Sequence, residues 1–125
     1  MALDFYLGSE PKIVFSCEDD GYYWFMHPLL EELATRTGQY IDLYGGASFA
    51  GEDLMALREI VERVGQEVAT MPEKWDVQVG TLLVSPPTPL YAPVEKGEFH
   101  RRLSDLGQLV DDAIMQETMI RCIGD

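Results

Sequence analysis

Apolar and polar residues alternate along the first part of the chain, which is the pattern of β-strands. A first strand-like run at residues 3–7 ends at the turn-forming residues 8–11, and a β-branched and aromatic run follows at 13–15. An Asp-Gly pair closes the acidic stretch 18–21 and precedes the aromatic run 22–26. Because Asp-Gly between two such runs is typical of a hairpin, the pattern predicts three strands, the last two joined by a tight turn.

Helical spacing of apolar residues appears in three later segments. Pro28 suits the first turn of a helix and Gly38 suits its end, which predicts a helix over residues 28–37. A long amphipathic helix begins at Glu52 and ends at Met71-Pro72. A C-terminal helix is indicated by apolar residues on one face, namely Phe99, Leu103, Leu106, Leu109, Val110, Ala113 and Ile114.

Two further strands are expected between these helices. Residues 40–44 alternate and are closed by Gly45-Gly46, after which we expect a loop. A strand over residues 75–84 contains Gly80, which is a candidate β-bulge. The four prolines of residues 85–93 require an extended or irregular backbone there.

The predicted element order is therefore β-β-β-α-β-α-β-α. With so few helices for its strands, the chain is expected to adopt an α/β fold of the α+β kind. The sheet is expected to be mixed or antiparallel, with about five strands, three helices and cover mainly on one face. No repeat or linker divides residues 1–125, which predicts a single globular domain.

The charge of the chain is strongly one-sided, with 22 acidic residues against 9 basic ones and a formal net charge of -13. Nucleic-acid binding needs a basic stripe, and the one adjacent basic pair, Arg101-Arg102, is flanked by Glu98 and Asp105. We therefore expect neither nucleic acid nor an anionic membrane as a partner. The charge favours a basic protein partner, although acidity also serves solubility alone.

Cysteine usage indicates a reducing compartment. Cys17 and Cys122 lie in apolar surroundings without a CxxC pair or a nearby histidine at metal-ligand spacing, which predicts buried free thiols and no zinc site. The chain also shows no secretion signal and no long apolar span. The expected location is the cytoplasm of a bacterial cell, and no cofactor is predicted.

The densest polar feature is the one run of three acids in the chain, followed directly by aromatic residues. Tyrosine and tryptophan supply rigid contact area while carboxylates select a basic partner, so this stretch is a candidate recognition surface. The candidate residues are Glu18, Asp19, Asp20, Tyr22, Tyr23 and Trp24. Strand alternation would place Trp24 in the core and one of the two tyrosines on the surface. The alternative is a solvated hairpin tip; a divalent-cation site lacks the spaced acidic loop that calcium requires.

Further candidate residues are Asp42 and Tyr44, at the end of a predicted strand. Asp42 either points into a groove there or faces solvent beside the Gly45-Gly46 turn. His27 lies at a predicted strand-to-helix junction, and its distance in space from Cys17 is not fixed by the sequence. Because no nucleophile elbow, Walker A motif or dinucleotide fingerprint is present, no catalytic residue is assigned.

Several short segments, taken in order, resemble the small acidic bacterial immunity proteins of polymorphic toxin systems and related uncharacterised families. The segments are Tyr23-Trp24, Pro28 with Leu29-Leu30, residues 41–45, Phe49, Trp75-Asp76-Val77 and Gly124-Asp125. The resemblance implies an intracellular inhibitor that binds a cognate toxin and blocks its active site.

The leading hypothesis is thus an intracellular protein-binding module of the immunity-protein type, without enzymatic activity, whose partner is a basic toxin domain. One alternative is a small enzyme or small-ligand-binding domain with a pocket near Asp42, Tyr44 and the proline-rich segment. A second alternative is a structural or oligomerisation module. The sequence fixes neither the strand order nor the oligomeric state.

Overall fold

Three helices and six strands form the protein in a computed structural model that describes residues 2–124. In chain order the elements are β1 (Ala2–Leu7), β2 (Ile13–Glu18), α1 (Gly21–Thr37), β3 (Gly46–Phe49), α2 (Glu52–Ala69), β4 (Lys74–Leu82), β5 (Thr88–Glu95), α3 (Lys96–Met115) and β6 (Ile120–Gly124). The single-domain α+β fold expected from the sequence is confirmed.

The strands form two antiparallel sheets rather than one. Four strands have the order β2-β1-β6-β3, so strands from the two ends of the chain lie side by side. The other two, β4 and β5, pair only with each other among the described residues. The expected number of strands was nearly right, but their division into two sheets was not predicted.

One face of the four-stranded sheet forms the floor of the core. Six inward residues are buried, namely Leu3, Phe5, Cys17, Phe49, Ile120 and Cys122, and Leu7, Phe15 and Ala47 on the same face are partly buried. The apolar stripes of the three helices complete this core, while Ser16 and Ser48 lie on the exposed side of their strands. The expectation of a sheet covered on one face, and of two buried and unpaired cysteines, is confirmed.

The predicted strand at residues 22–26 is wrong, because this segment is the start of α1. Tyr23, Met26, Leu30 and Leu33 are spaced by three and four residues and are all buried, which is a helical pattern. Helix α1 is thus longer than the helix predicted over 28–37, and Pro28 lies inside it rather than in its first turn. Its predicted end is right, since Gly38 adopts a left-handed conformation there with a φ of 76°.

The segment at residues 40–44 was also wrongly predicted as a strand. It is irregular, and the strand begins at Gly46, where a loop was expected. The buried side chains of Ile41 and Leu43 explain the alternation: they alternate into the core without pairing to a neighbouring strand. Strand β6 was missed altogether, because Ile120 to Gly124 is a short run directly after a helix.

Helices α2 and α3 and strands β1, β2 and β4 lie where the apolar pattern placed them. The β4–β5 register shifts between Gln78 and Gly80, which confirms the predicted bulge. The proline-rich segment was expected to be extended or irregular, and this is confirmed: residues 85–87 are irregular, and from Thr88 onward the segment is a paired strand. Within the described residues, no helix is both long and apolar enough to cross a membrane.

Candidate functional site

The acidic stretch predicted to form a hairpin ends β2 and caps the N-terminus of α1 instead. Asp20 has an extended backbone, and its Oδ1 accepts a hydrogen bond of 3.1 Å from the backbone N–H of Tyr23. An aspartate in this position satisfies one of the free N–H groups at a helix start. Asp19 is also engaged, because its Oδ1 accepts a hydrogen bond of 2.6 Å from Trp24 Nε1. Glu18 is exposed at the end of β2.

The aromatic residues that follow are divided differently from the strand-based prediction. Tyr23 is the core residue, only 2% exposed, and its hydroxyl donates a hydrogen bond of 2.7 Å to the carbonyl of Ile41. Trp24, predicted to be in the core, is half-buried at the edge with Tyr22. Helical geometry explains this difference, because adjacent helical residues lie about 100° apart instead of on opposite faces.

An ion network joins the start of α1 to the start of α3. Arg102 donates to Asp20 Oδ2 at 3.2 Å and to Glu98 Oε1 at 3.0 Å, and its guanidinium lies 4.1 Å from the centre of the Tyr22 ring. Arg101 donates to the same Glu98 at 2.6 Å. These two guanidinium groups lower the pKa of Glu98 to about 2. The adjacent arginines are thus paired with acids of their own chain.

Asp42 does not point into a groove. Its Oδ1 accepts a hydrogen bond of 3.1 Å from the backbone N–H of Tyr44, and its carbonyl accepts one of 3.2 Å from Gly45. This is an Asx-type turn, in which the carboxylate holds its own loop. The ring of Tyr44 is exposed. The turn at this position was expected, and Asp42 is the residue that closes it.

The groups considered for nucleophilic catalysis are engaged within the fold. Burial raises the pKa of Cys17 to about 12, so its sulfur is a thiol and not an activated thiolate at neutral pH. His27 Nε2 lies 2.6 Å from the hydroxyl of Tyr40, and its Nδ1 lies 3.2 Å from Glu31 Oε1. Both ring nitrogens therefore have partners inside the molecule.

Residues 2–124 contain no group of three or more histidine, cysteine or acidic side chains arranged to hold a metal ion. Asp19 and Asp20 illustrate the reason, since they point to different partners, the Trp24 indole and the α1 backbone. The acidic run thus lacks the convergent oxygen ligands that calcium or magnesium requires.

A surface without a partner in the fold lies on the two-stranded sheet of residues 74–95, which we call the arm. Its base is anchored by aromatic packing. Trp75 stacks on Phe99 of α3 with ring centres 6.3 Å apart and meets Phe25 of α1 edge-on at 5.4 Å. Val94 is fully buried beside them. This packing stabilises a two-stranded sheet that would be marginal on its own.

The distal arm, residues 80–91, is exposed at every position. Leu83 is 88% exposed and Tyr91 59%, and the other large apolar side chains there are Leu82, Val84 and Leu90. The side-chain hydrogen bonds found there are local, such as the 3.3 Å bond from Thr88 Oγ1 to the carbonyl of Pro86. The distal arm therefore presents an apolar surface that contributes nothing visible to the core.

A simple sequence signal accompanies this surface. Residues 77–94 contain no charged side chain, although a quarter of the chain is charged. Exposed strands usually carry lysines or other charges that prevent association, and the distal arm carries none. The sequence predicts a strand over residues 75–84 and an extended or irregular backbone over 85–93, but a lack of charge is also typical of a buried strand and does not by itself indicate exposure.

Comparison of the chain with protein-family models, with curated proteins and with solved structures finds no significant match.

Proposed function

We propose that this protein is a protein-binding module whose recognition element is the distal arm. The observation that carries the proposal is the continuous exposure of residues 80–91, which are uncharged and rich in apolar side chains, on a chain with a net charge of -13. Exposed apolar patches of this kind mark interaction sites in proteins that otherwise cover their surface with charge. The residues of the acidic run, by contrast, are largely used within the fold.

The distal arm is well suited to binding because its prolines already restrict the backbone before a partner binds. Proline fixes one backbone angle, and Pro86, Pro87 and Pro89 lie together near its tip. A rigid segment loses less conformational entropy on association than a flexible loop does. Its leucine and tyrosine side chains then supply the apolar contact area on which interface energy depends.

The partner that fits is a protein with an apolar cleft for the arm and a basic surface around that cleft. Asp76 and Glu95 flank the uncharged segment at the base of the arm, and both are exposed. The overall negative charge accelerates encounter with a basic surface and disfavours acidic partners, including nucleic acids. Paired arginines at 101 and 102 leave no basic patch there to offset that repulsion.

The specific form of this proposal is an immunity protein. An arm that enters the cleft of a basic toxin domain would block the active site of that domain, as the sequence resemblance implies. Such an inhibitor acts where the toxin would otherwise damage the producing cell, which places this protein in the bacterial cytoplasm. No catalytic step is needed for this activity.

The test uses the binding partner captured from the native cell with the wild-type protein. Leu83→Lys is expected to abolish its binding, while the paired change E18Q/D19N on the acidic run changes affinity less than about twofold. Co-expression then tests inhibition: the partner alone should stop growth, and the wild type and E18Q/D19N should restore it, but not Leu83→Lys. Equal binding by wild type and Leu83→Lys would overturn the role of the arm. A harmless partner would overturn only the immunity function.

A further inference from the structure

A second apolar surface lies between the start of α2 and the end of α3. It is a groove of about 520 Å³, which we call the methionine groove. Its lining residues are Ala50, Gly51, Leu54, Met55, Ala113, Ile114, Glu117, Thr118 and Met119. Met55 is 52% exposed, and Met115 next to this lining is 84% exposed. Methionine side chains are flexible and polarisable, and they recur on surfaces that accept apolar groups of another protein.

The charged residues within the segments that line the methionine groove are all acidic. Glu52 and Asp53 lie in the first turn of α2, Asp112 lies near the end of α3, and Glu117 is part of the lining. The two chain segments that line the groove, residues 50–55 and 113–119, contain no lysine or arginine. Arg58, the next basic residue along α2, lies 3.4 Å from Asp111 of α3 and is thus paired within the fold. The nearby Arg121 directs its guanidinium elsewhere, to the carbonyl groups of Gly8 and Glu10.

The end of α3 adds to this negative character. The C-terminal end of a helix carries partial negative charge from its free carbonyl groups, which a basic residue in the last turn usually offsets. The last turn of α3 has no basic residue. A cationic side chain from a partner would supply the missing complement.

Glu117 occupies a backbone position that favours glycine. Its φ is 51°, and the N–H groups of Glu117 and Thr118 donate to the carbonyls of Ile114 and Ala113 at 3.2 and 3.0 Å. This is the Schellman pattern of a helix end, where glycine avoids the steric strain of a side chain. Glu117 therefore places a carboxylate at the edge of the groove, although the backbone conformation there favours glycine.

We propose that the methionine groove binds a helical segment of a partner protein that carries apolar side chains on one face and lysine or arginine beside them. The apolar face would enter between Met55 and Met119, and the basic residues would meet the acids around the groove. A second copy of this chain is a poor occupant, because its net charge of -13 would oppose the approach. This proposal is independent of the function proposed for the arm.

The test uses a synthetic amphipathic helix of leucine and lysine, with a scrambled peptide of the same composition as its control. Binding is followed by NMR of the methionine methyl groups. Saturable shifts are expected for Met55 and Met119 with the amphipathic peptide, while the core residue Met26 stays unchanged. The scrambled peptide controls for general attraction to an acidic protein, and equal binding of both peptides would overturn the proposal.

Three variants sharpen this test. Met55→Lys is expected to weaken peptide binding by roughly tenfold, while Gln66→Lys, which adds the same charge farther along α2, weakens it less than about twofold. Glu117→Gly should weaken binding and yet raise the unfolding temperature, because it removes both the carboxylate and the backbone strain. Equal effects of the two lysine variants would contradict the proposal. Self-association that Met55→Lys abolishes would also contradict it, since the occupant would then be a second copy.

Discussion

The start of α1 carries the side-chain types of a binding surface and the distal arm does not, yet the distal arm is the more exposed of the two. The residues at the start of α1 are charged and aromatic, yet they form hydrogen bonds within the fold: Asp20 pairs with Arg102 of α3, and the Tyr23 hydroxyl donates to the carbonyl of Ile41. The distal arm is uncharged and rich in proline, yet all of residues 80–91 are exposed. A high density of recognition-type side chains thus does not identify a free surface. What identifies it is apolar area that the fold leaves unused.

The largest effect on stability is expected when the side chain of Tyr23, at the start of α1, is truncated. Tyr23→Ala removes a buried ring and leaves the carbonyl of Ile41 without its partner, so we expect the free energy of unfolding to fall by about 3–5 kcal/mol. Trp24→Ala should cost less than half as much, because that ring is half-buried. Urea denaturation measures both. A larger loss for Trp24→Ala would support the strand-based placement and contradict the helix.

The next effect in size concerns the helix cap. Asp20→Ala should lower the free energy of unfolding by about 0.5–2 kcal/mol, because it removes the cap of α1 and a partner of Arg102. The exposed neighbour Glu18 serves as control, and Glu18→Gln should change stability by less than about 0.5 kcal/mol. Similar losses for the two variants would mean that the acidic run acts as a solvated surface and not as a cap.

A smaller effect on stability is expected in the distal arm. Leu83→Lys should change the free energy of unfolding by less than about 0.5 kcal/mol, because the side chain already lies in solvent. Val94→Ala at the buried base of the same arm is the matched control and should be clearly destabilising. Thermal unfolding of both variants measures the contrast. A strong loss for Leu83→Lys would mean that the tip packs on something and is not a free surface.

The smallest expected effect is a pH dependence at Glu98. Its pKa is about 2 in the folded protein against an ordinary value of 4.5, so its ion pairs stabilise the fold above pH 4.5 and lose this effect as the pH falls toward 2. The stability difference between wild type and Glu98→Gln should therefore shrink over that range. Gln66→Ala, which removes no titratable group, should show a constant difference. A difference that grows on acidification would contradict the pairing.

Much of the fold follows from the sequence because apolar periodicity records burial. Helices α2 and α3 and strand β1 lie where the pattern placed them. The elements predicted wrongly are those in which residues are buried in an alternating or aromatic pattern but their backbone does not pair as a strand. Ile41 and Leu43 alternate into the core without a neighbouring strand. The aromatic run after Asp20 resembles a strand, although its two buried residues, Tyr23 and Met26, have helical spacing.

The candidate site was harder to predict because a binding surface consists of apolar residues that do not pack against the rest of the protein. The sequence shows that residues 77–94 lack charge, but the same property is typical of a buried strand. Only the arrangement in space separates the two cases. It also shows that Asp19 and Asp42, predicted for recognition, form hydrogen bonds with their own neighbourhood.

Site-specific crosslinking in the native cell tests the central claim most directly. A photoreactive phenylalanine analogue is placed at Leu83 in one variant and at Glu18 in another, so that the distal arm and the acidic run are compared in the same protein. We expect a discrete crosslinked product from position 83, removed by an excess of unlabelled wild-type protein, and none from position 18. Crosslinking from position 18 alone, or equally from both positions, would contradict the account, as would a position 83 product with the mass of two copies of this chain.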